Sequence, residues 1–166
     1  LREIKGPVTD ELAVFQKVFK DAVKTKVPLL DVIMRYILKA KGKQMRPLIV
    51  IYSARLFGDV NDSTYRAATL VELMHTATLV HDDVVDEAEL RRSFPTINKI
   101  WKNKISILMG DYLLAKSLII ATEIGNIELM NVIANVAKSM SKGELLQIQK
   151  ARKLNITEEE YFQLIK

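Results

Sequence analysis

Residues 75–92 read HTATLVHDDVVDEAELRR, and the last twelve of them, His81 to Arg92, hold three aspartates, two glutamates and two arginines. The chain as a whole is 49% hydrophobic, so this density of opposed charge is local. On a helix, residues at i, i+3, i+4 and i+7 share a face, which places His75, Thr78, Leu79, Asp82, Asp83 and Asp86 on one stripe. Asp82 and Asp86 then stand about 6 Å apart along the axis and repel each other by roughly a few tenths of a kcal/mol. The C-terminal end of a helix is also the unfavourable end for anions. A cluster disfavoured twice over calls for a compensating cation. Oxygen ligands without a thiolate, and with one histidine two turns away, favour Mg²⁺, which takes one or two carboxylates and completes its shell with water and phosphate oxygens. A hard cation held in this way implies a phosphorylated substrate. The competing reading is a solvated acidic face, the commoner fate of a bare DDxxD pattern.

Two further features weigh against the bland reading. Arg91 and Arg92 follow the acidic cluster where the helix should end, and guanidinium forks match diphosphate oxygens. Simple pairing of these arginines with Glu87 or Glu89 is the alternative. Lys41, Lys43 and Arg46 lie in KGKQMRP, a glycine-containing loop that leads into a helix N-terminus, a favourable place for an anion. His75 alone would be a core histidine; on the stripe it is a candidate phosphate donor. Together these segments describe two anion-binding regions with a metal between them, and such a site handles diphosphates.

The rest of the sequence frames that site. A length of 166 residues fits one domain with a real core. Pro and Gly are scarce and period-two alternation is rare, so an all-α fold, a helical bundle, is expected. The absence of cysteine removes disulfides and thiolate metal sites and fits a reducing cytoplasm, the compartment expected here. The net charge of +5 does not by itself choose a partner. No basic stripe interleaved with aromatics points to nucleic acid. No signal peptide is visible, and the most apolar stretch, Ile105 to Ala121, is interrupted by Asp111 and Lys116, so no transmembrane segment is expected. The first residue is Leu1 and the last segment, TEEEYFQLIK, reads as the opening of a new helix, so a piece of a longer chain is expected.

Helical periodicity and caps divide the chain further. A helix starting near Thr9 runs until KTKVP; LLDVIMRYILKA forms a second that stops at Gly42; Pro47 opens a third, closed by Gly58. Asn61, Asp62 or Ser63 caps a long helix reaching about Glu89. Pro95 breaks the pattern, a helix spans about 104 to 124, another about 127 to 152, and TEEE at 157–160 is a capping box.

Three blocks, GKQMRP at 42–47, HTATLVHDDVVDEAELRRSFPTIN at 75–98 and GDYLLAKS at 110–117, resemble the trans-type polyprenyl (isoprenyl) diphosphate synthases in order and approximate spacing. The resemblance implies the isoprenoid synthase bundle, with residues 1–166 forming the N-terminal half of a single domain whose Lys-Thr pair and second aspartate-rich motif are not in this sequence. It implies a prenyl transferase that condenses an allylic diphosphate with isopentenyl diphosphate, head to tail, to a trans-polyprenyl diphosphate, with Mg²⁺ as cofactor; this half alone is expected to be inactive. Asp82, Asp83 and Asp86 would hold the allylic diphosphate through the metal, with Arg91 helping, and all four would be the catalytic set. Lys43, Arg46, His75 and Arg92 would bind the diphosphate of isopentenyl diphosphate. Gln147, in GELLQ, resembles a family glutamine near the first aspartate-rich motif.

Bulky aromatics at the positions of Ala77 and Thr78 mark short-chain members, so two small residues imply a medium- to long-chain product; close approach of a neighbouring helix is the competing reason for a small Ala77. A homodimer, and peripheral contact with a membrane through the product, are implied as well. Two departures from the family are Gln44, where many members have Arg, and Ser93, where Gly usually follows the arginine pair. The alternatives are a class I terpene cyclase, which shares the acidic helix but has less need of Lys43, Arg46 and His75, and a non-catalytic partner subunit of the same fold.

Overall fold

The computed structural model describes residues 2–39, 42–153, 157–159 and 162. Lys41 and Glu160 of the expected capping box lie outside them. The described elements are α1 (Arg2–Lys5), a 3-10 turn over Gly6–Val8, α2 (Thr9–Ala22), α3 (Pro28–Lys39), α4 (Met45–Phe57), α5 (Asp62–Val85), a two-stranded hairpin of β1 (Leu90–Arg91) and β2 (Phe94–Pro95), α6 (Ile97–Ile124) and α7 (Ile127–Lys153). The chain divides into two compact units, Leu1–Gly125 and Asn126–Lys166. The all-α expectation holds, with the short hairpin as an addition.

Caps set several helix ends. Asn61 accepts from the Thr64 amide at 3.1 Å while the Thr64 hydroxyl receives the Asn61 amide at 3.4 Å, so a reciprocal capping box starts α5. Gly125, with φ 70°, closes α6 in the left-handed conformation that glycine adopts without penalty. In the second unit the Asn126 side chain accepts from the Leu129 amide at 2.9 Å and opens α7.

The core of the first unit begins where α2 crosses α4 and α5. Val8, Leu12, Phe15, Leu48, Ile51 and Ala68 form one buried cluster. Phe15 and Phe19 tilt against each other with ring centroids 5.7 Å apart. From this cluster α5 continues as an antiparallel partner of α6. Arg66 reaches Glu123 at the start of α5, His81 meets the Ile107 carbonyl further on, and Asn98 reaches the carbonyl of Asp83 near its end. The α6 stripe Ser106, Met109, Gly110, Leu113, Ser117, Ile120 and Ala121 is buried at helical spacing. A Cβ on Gly110 would lie 2.2 Å from Nε2 of His81, so only glycine lets that imidazole approach α6 so closely. By length and composition α6 is apolar enough to cross a bilayer, and this stripe is the face it turns to α5.

Three boundaries differ from expectation. The long helix ends at Val85, with Asp86 as its C-cap, rather than near Glu89, because Glu87 takes φ 51° and turns the chain away. α4 starts at Met45, two residues before Pro47. α6 begins at Ile97 rather than 104, but it carries a break at Lys102, whose φ 71° and ψ 161° are not helical, so its first turn is separated from its shaft.

Candidate active site

The site grows out of the last turn of α5 and the hairpin that follows. The Asp86 amide donates to the Asp82 carbonyl at 2.8 Å, and the Ala88 amide to the Asp83 carbonyl at 3.0 Å. Returning from the hairpin, the Thr96 hydroxyl donates to the Ala88 carbonyl at 2.6 Å, and Asn98 Nδ2 donates to the carbonyls of Ala88 at 3.1 Å and Asp83 at 3.2 Å. The bonds to Asp82 and Asp83 satisfy carbonyls that the end of α5 leaves open, and those to Ala88 close the connection on itself. Leu90 pairs with Pro95 and Arg91 with Phe94, leaving Arg92 and Ser93 as the two turn residues, both at positive φ (51° and 69°). That is the backbone of a type I′ turn, which usually recruits Asn and Gly. Ser93 therefore occupies a position suited to the glycine that the resemblance led us to expect, and keeps the turn shape under strain.

The three carboxylates separate into two roles. Asp83 is buried, and Arg91 donates to its Oδ1 from Nε at 2.9 Å and Nη2 at 2.8 Å. The arginine partner anticipated as Glu87 or Glu89 is thus Asp83, and Glu89 pairs with Lys99 instead. Asp82 and Asp86 remain, one turn apart. Burial holds the Asp82 carboxyl above the usual carboxylate range, with Asp86 and Asp83 adding to the effect and Arg91 opposing it. Among the described residues no three His, Asp or Glu side chains converge as a ready-made metal cluster. Of the three aspartates expected to hold a metal, Asp83 is the one engaged by Arg91. A half-buried Asp82 with Asp86 one turn away still suits one hard divalent cation that draws further ligands from water and phosphate.

Beside the acidic turn lies a cavity of about 830 Å³. Lys43 reaches its wall from the loop before α4, Arg46 from the first turn of α4, His75 from α5, and Arg91 and Arg92 from the hairpin. The structure thus brings together the described basic residues singled out in the sequence. Gly42 explains how the loop and the hairpin meet: a Cβ there would lie 2.5 Å from Nη1 of Arg92. His75 is held neutral, its pKa lowered to about 4 by burial first and then by Arg46, Arg91 and Arg92. A neutral imidazole offers one N–H donor to an arriving anion. Glu72, one turn before His75 on the same wall, was not anticipated; burial raises its carboxyl pKa, while Arg46 and Arg92 pull it down. Its spacing to His75 was the signal available in the sequence.

Of the remaining predicted residues, Gln44 lines this cavity, whereas Ala77 and Thr78 are not among its lining residues. Thr78 is half-buried, four residues before Asp82 on the same stripe, its hydroxyl donating to the His75 carbonyl at 2.9 Å. Ala77 is 2% exposed and lies four residues before His81, on the side of α5 that meets Gly110. That placement favours the packing reading for Ala77. Gln44 is the N-terminal neighbour of α4, at φ 55°, and accepts a hydrogen bond from Gln16 at 3.4 Å. Gln147 lies exposed on α7, in the second unit.

The model of the polyprenyl synthetase family matches residues 27–166. The all-trans-nonaprenyl-diphosphate synthase (geranyl-diphosphate specific) of Rhodobacter capsulatus is 34% identical over 165 residues, which are 99% of this chain and 51% of that protein. A solved decaprenyl diphosphate synthase from Rhodobacter capsulatus superposes with a TM-score of 0.91 at 35% identity, covering 98% of this chain and 50% of that one. A polyprenyl synthase from Caulobacter crescentus, complexed with calcium and isoprenyl diphosphate, gives 0.90 at 31% identity, covering 98% and 49%. The chain spans about half the length of the relatives it matches. The acidic turn, the basic wall and these similarities agree, and the chain belongs to the polyprenyl synthetase family.

Proposed function

We propose that this chain supplies the diphosphate-binding half of a prenyl transferase that extends an allylic diphosphate with isopentenyl diphosphate to a medium- or long-chain trans-polyprenyl diphosphate. The observation that carries this reading is the cavity wall on which three separate segments place Lys43, Arg46, His75, Arg91 and Arg92 beside the acidic turn. A cyclase acting on one diphosphate has less use for that second anion wall, and a subunit relieved of catalysis has none for an acidic turn in which burial disfavours the charge on Asp82.

In this reading the wall binds the diphosphate of isopentenyl diphosphate, with His75 donating through its N–H and the arginines through their forks. Asp82 and Asp86 would hold Mg²⁺, whose charge offsets that of a departing diphosphate. Calcium in the Caulobacter relative supports a divalent cation, and the oxygen-only donors favour Mg²⁺. Arg91, anchored on Asp83, stands between the two anion regions. The reaction needs no protein nucleophile: the allylic C–O bond ionises, the isopentenyl double bond attacks the cation, and a proton is lost. The protein's contribution is to fix positive charge where negative charge builds. A second copy of the chain is the proposed partner, a reducing cytoplasm the proposed compartment, and any membrane contact is made through the apolar product.

The direct test is calorimetric titration of the 166-residue chain with isopentenyl diphosphate, alongside Arg46→Gln and Arg92→Gln. Binding by the parent that weakens at least tenfold in both variants is expected. Equal affinity in all three proteins would overturn the assignment of the wall. Condensation is then assayed on the chain joined to the second half of a family member, with labelled isopentenyl diphosphate, an allylic primer and Mg²⁺; the chain alone is expected to form no product.

A further inference from the structure

The arginine pair is carried on a segment with little stability of its own. Its hairpin has two residues per strand, too few to hold shape unaided. Non-glycine residues at positive φ bracket the segment: Glu87 at 51° before it and Lys102 at 71° after it. From the α5 side it is held by the Arg91–Asp83 pair and by the bond of Asn98 to the Asp83 carbonyl, while the bonds of Thr96 and Asn98 to the Ala88 carbonyl close the segment on itself. From the other side, the reach comes from α3. The Tyr36 hydroxyl donates to the Pro95 carbonyl at 2.6 Å, across fifty-nine positions of sequence. The edge of the same ring meets Trp101, with centroids 5.2 Å apart and planes at 75°. Trp101 is the last residue before the Lys102 break, so one aromatic side chain contacts both the second strand of the hairpin and the separated first turn of α6. Tyr36 also lines the cavity that Arg91 and Arg92 enter.

We propose that Tyr36 is a positioning residue for substrate diphosphate: by fixing Pro95 and Trp101 it fixes the hairpin, and so aims the Arg91 and Arg92 guanidinium groups into the cavity. The inference rests on the reading that these arginines bind diphosphate. Leu90 is the partner of Pro95 in the two-strand register, so a shift at Pro95 is a shift of the residue next to Arg91. The Tyr36–Pro95 bond lies at an exposed site, and a net hydrogen bond of ordinary strength corresponds to roughly two- to tenfold in affinity if it is needed to hold the binding geometry. The ring packing and the hydroxyl can be separated, because phenylalanine keeps the contact with Trp101 and loses only the bond to Pro95.

The experiment is a double-mutant cycle on the 166-residue chain, titrated with inorganic pyrophosphate in EDTA, so that no divalent cation takes part. Tyr36→Phe is expected to weaken binding three- to tenfold, with a thermal midpoint close to the parent's. Arg92→Gln is expected to weaken it at least tenfold. In the double variant the two losses should be clearly less than additive, because Tyr36 acts through the arginine. Additive losses, or parent-like affinity in Tyr36→Phe while Arg92→Gln is impaired, would overturn the positioning role and leave the wall assignment standing. If Arg92→Gln and Arg46→Gln both bind pyrophosphate as the parent does, the wall assignment itself fails.

A second measurement needs no variant. Trp101 is the sole tryptophan, so its emission reports on the Tyr36 contact. Saturating pyrophosphate is expected to change the intensity or wavelength of that emission with the same midpoint as the calorimetric titration. Binding that leaves the emission untouched would refute the proposed linkage.

Discussion

Arg91 clasps a single oxygen of Asp83, with Nε at 2.9 Å and Nη2 at 2.8 Å from Oδ1, and so sets Asp83 apart from its neighbours Asp82 and Asp86. Adjacent aspartates should then behave oppositely on substitution. Asp83→Ala strands a guanidinium and is expected to destabilise the fold by roughly 1–2 kcal/mol, discounted because Arg91 is 39% exposed. Asp82→Ala relieves a strained carboxylate and should leave the metal-free thermal midpoint unchanged or slightly raised. Mg²⁺ should raise the midpoint of the parent but not that of Asp82→Ala or Asp86→Ala. In the chain completed by a second family half, condensation should fall by orders of magnitude in Asp82→Ala. A midpoint for Asp83→Ala equal to the parent's would refute the structural role.

His75 gives the site a pH signature. Its folded pKa of about 4 lies below the ordinary 6.5, so between those values the unfolded chain binds more protons than the folded one. The stabilisation is therefore complete above pH 6.5 and is lost as pH falls toward 4. Denaturant midpoints measured across that window should decline more steeply for the parent than for His75→Gln. Bound pyrophosphate should move the imidazole titration upward, because an anion favours the charged ring; an NMR titration unmoved by pyrophosphate would place the anion elsewhere.

Lys102 occupies backbone space that is nearly exclusive to glycine. Lys102→Gly should stabilise the chain by about 1 kcal/mol despite the added freedom of the unfolded state. Ser93→Gly should act in the same direction for the same reason, since Ser93 sits at φ 69°. Urea denaturation measures both, and a loss of stability in Lys102→Gly would show that its side chain contributes more than its backbone costs.

Product length separates Ala77 from Thr78. Thr78 shares Asp82's stripe, whereas Ala77 is fully enclosed on the α6 side. Thr78→Phe should shorten the product ladder of the completed enzyme with little change in thermal midpoint. Ala77→Phe should instead lose about 1–3 kcal/mol of stability through overpacking. Wild-type products from a folded Thr78→Phe would move the tunnel floor off α5.

The sequence announced what local chemistry controls. Asn61, Gly58 and Gly125 mark helix ends because caps are decided within a few residues. The DDxxD stripe was visible because helical period alone aligns Asp82 with Asp86 and Thr78. The hairpin was not visible, since four strand residues leave no alternation to detect and its turn is Arg92-Ser93 rather than a glycine pair. The partner of Arg91 was missed because Asp83 lies back across that unseen turn. Gly42 looked like loop punctuation, and only the fold shows a guanidinium packed against it.

The two ways in which this unit is stitched also imply an order of assembly. α5 and α6 are consecutive helices joined by residues 86–96, so their contacts can zip outward from that connection, whereas Tyr36–Pro95 and Gly42–Arg92 each close a loop of some fifty residues or more. The helical pair should therefore nucleate, and the anion wall should arrive last and open first. In native-state hydrogen exchange, the amides of Ala88 and Thr96 should open at much lower free energy than those of Leu70 and Leu113, unless pyrophosphate is present to close them. A chain emerging from the ribosome would thus own a stable scaffold before it owns a grip on any substrate.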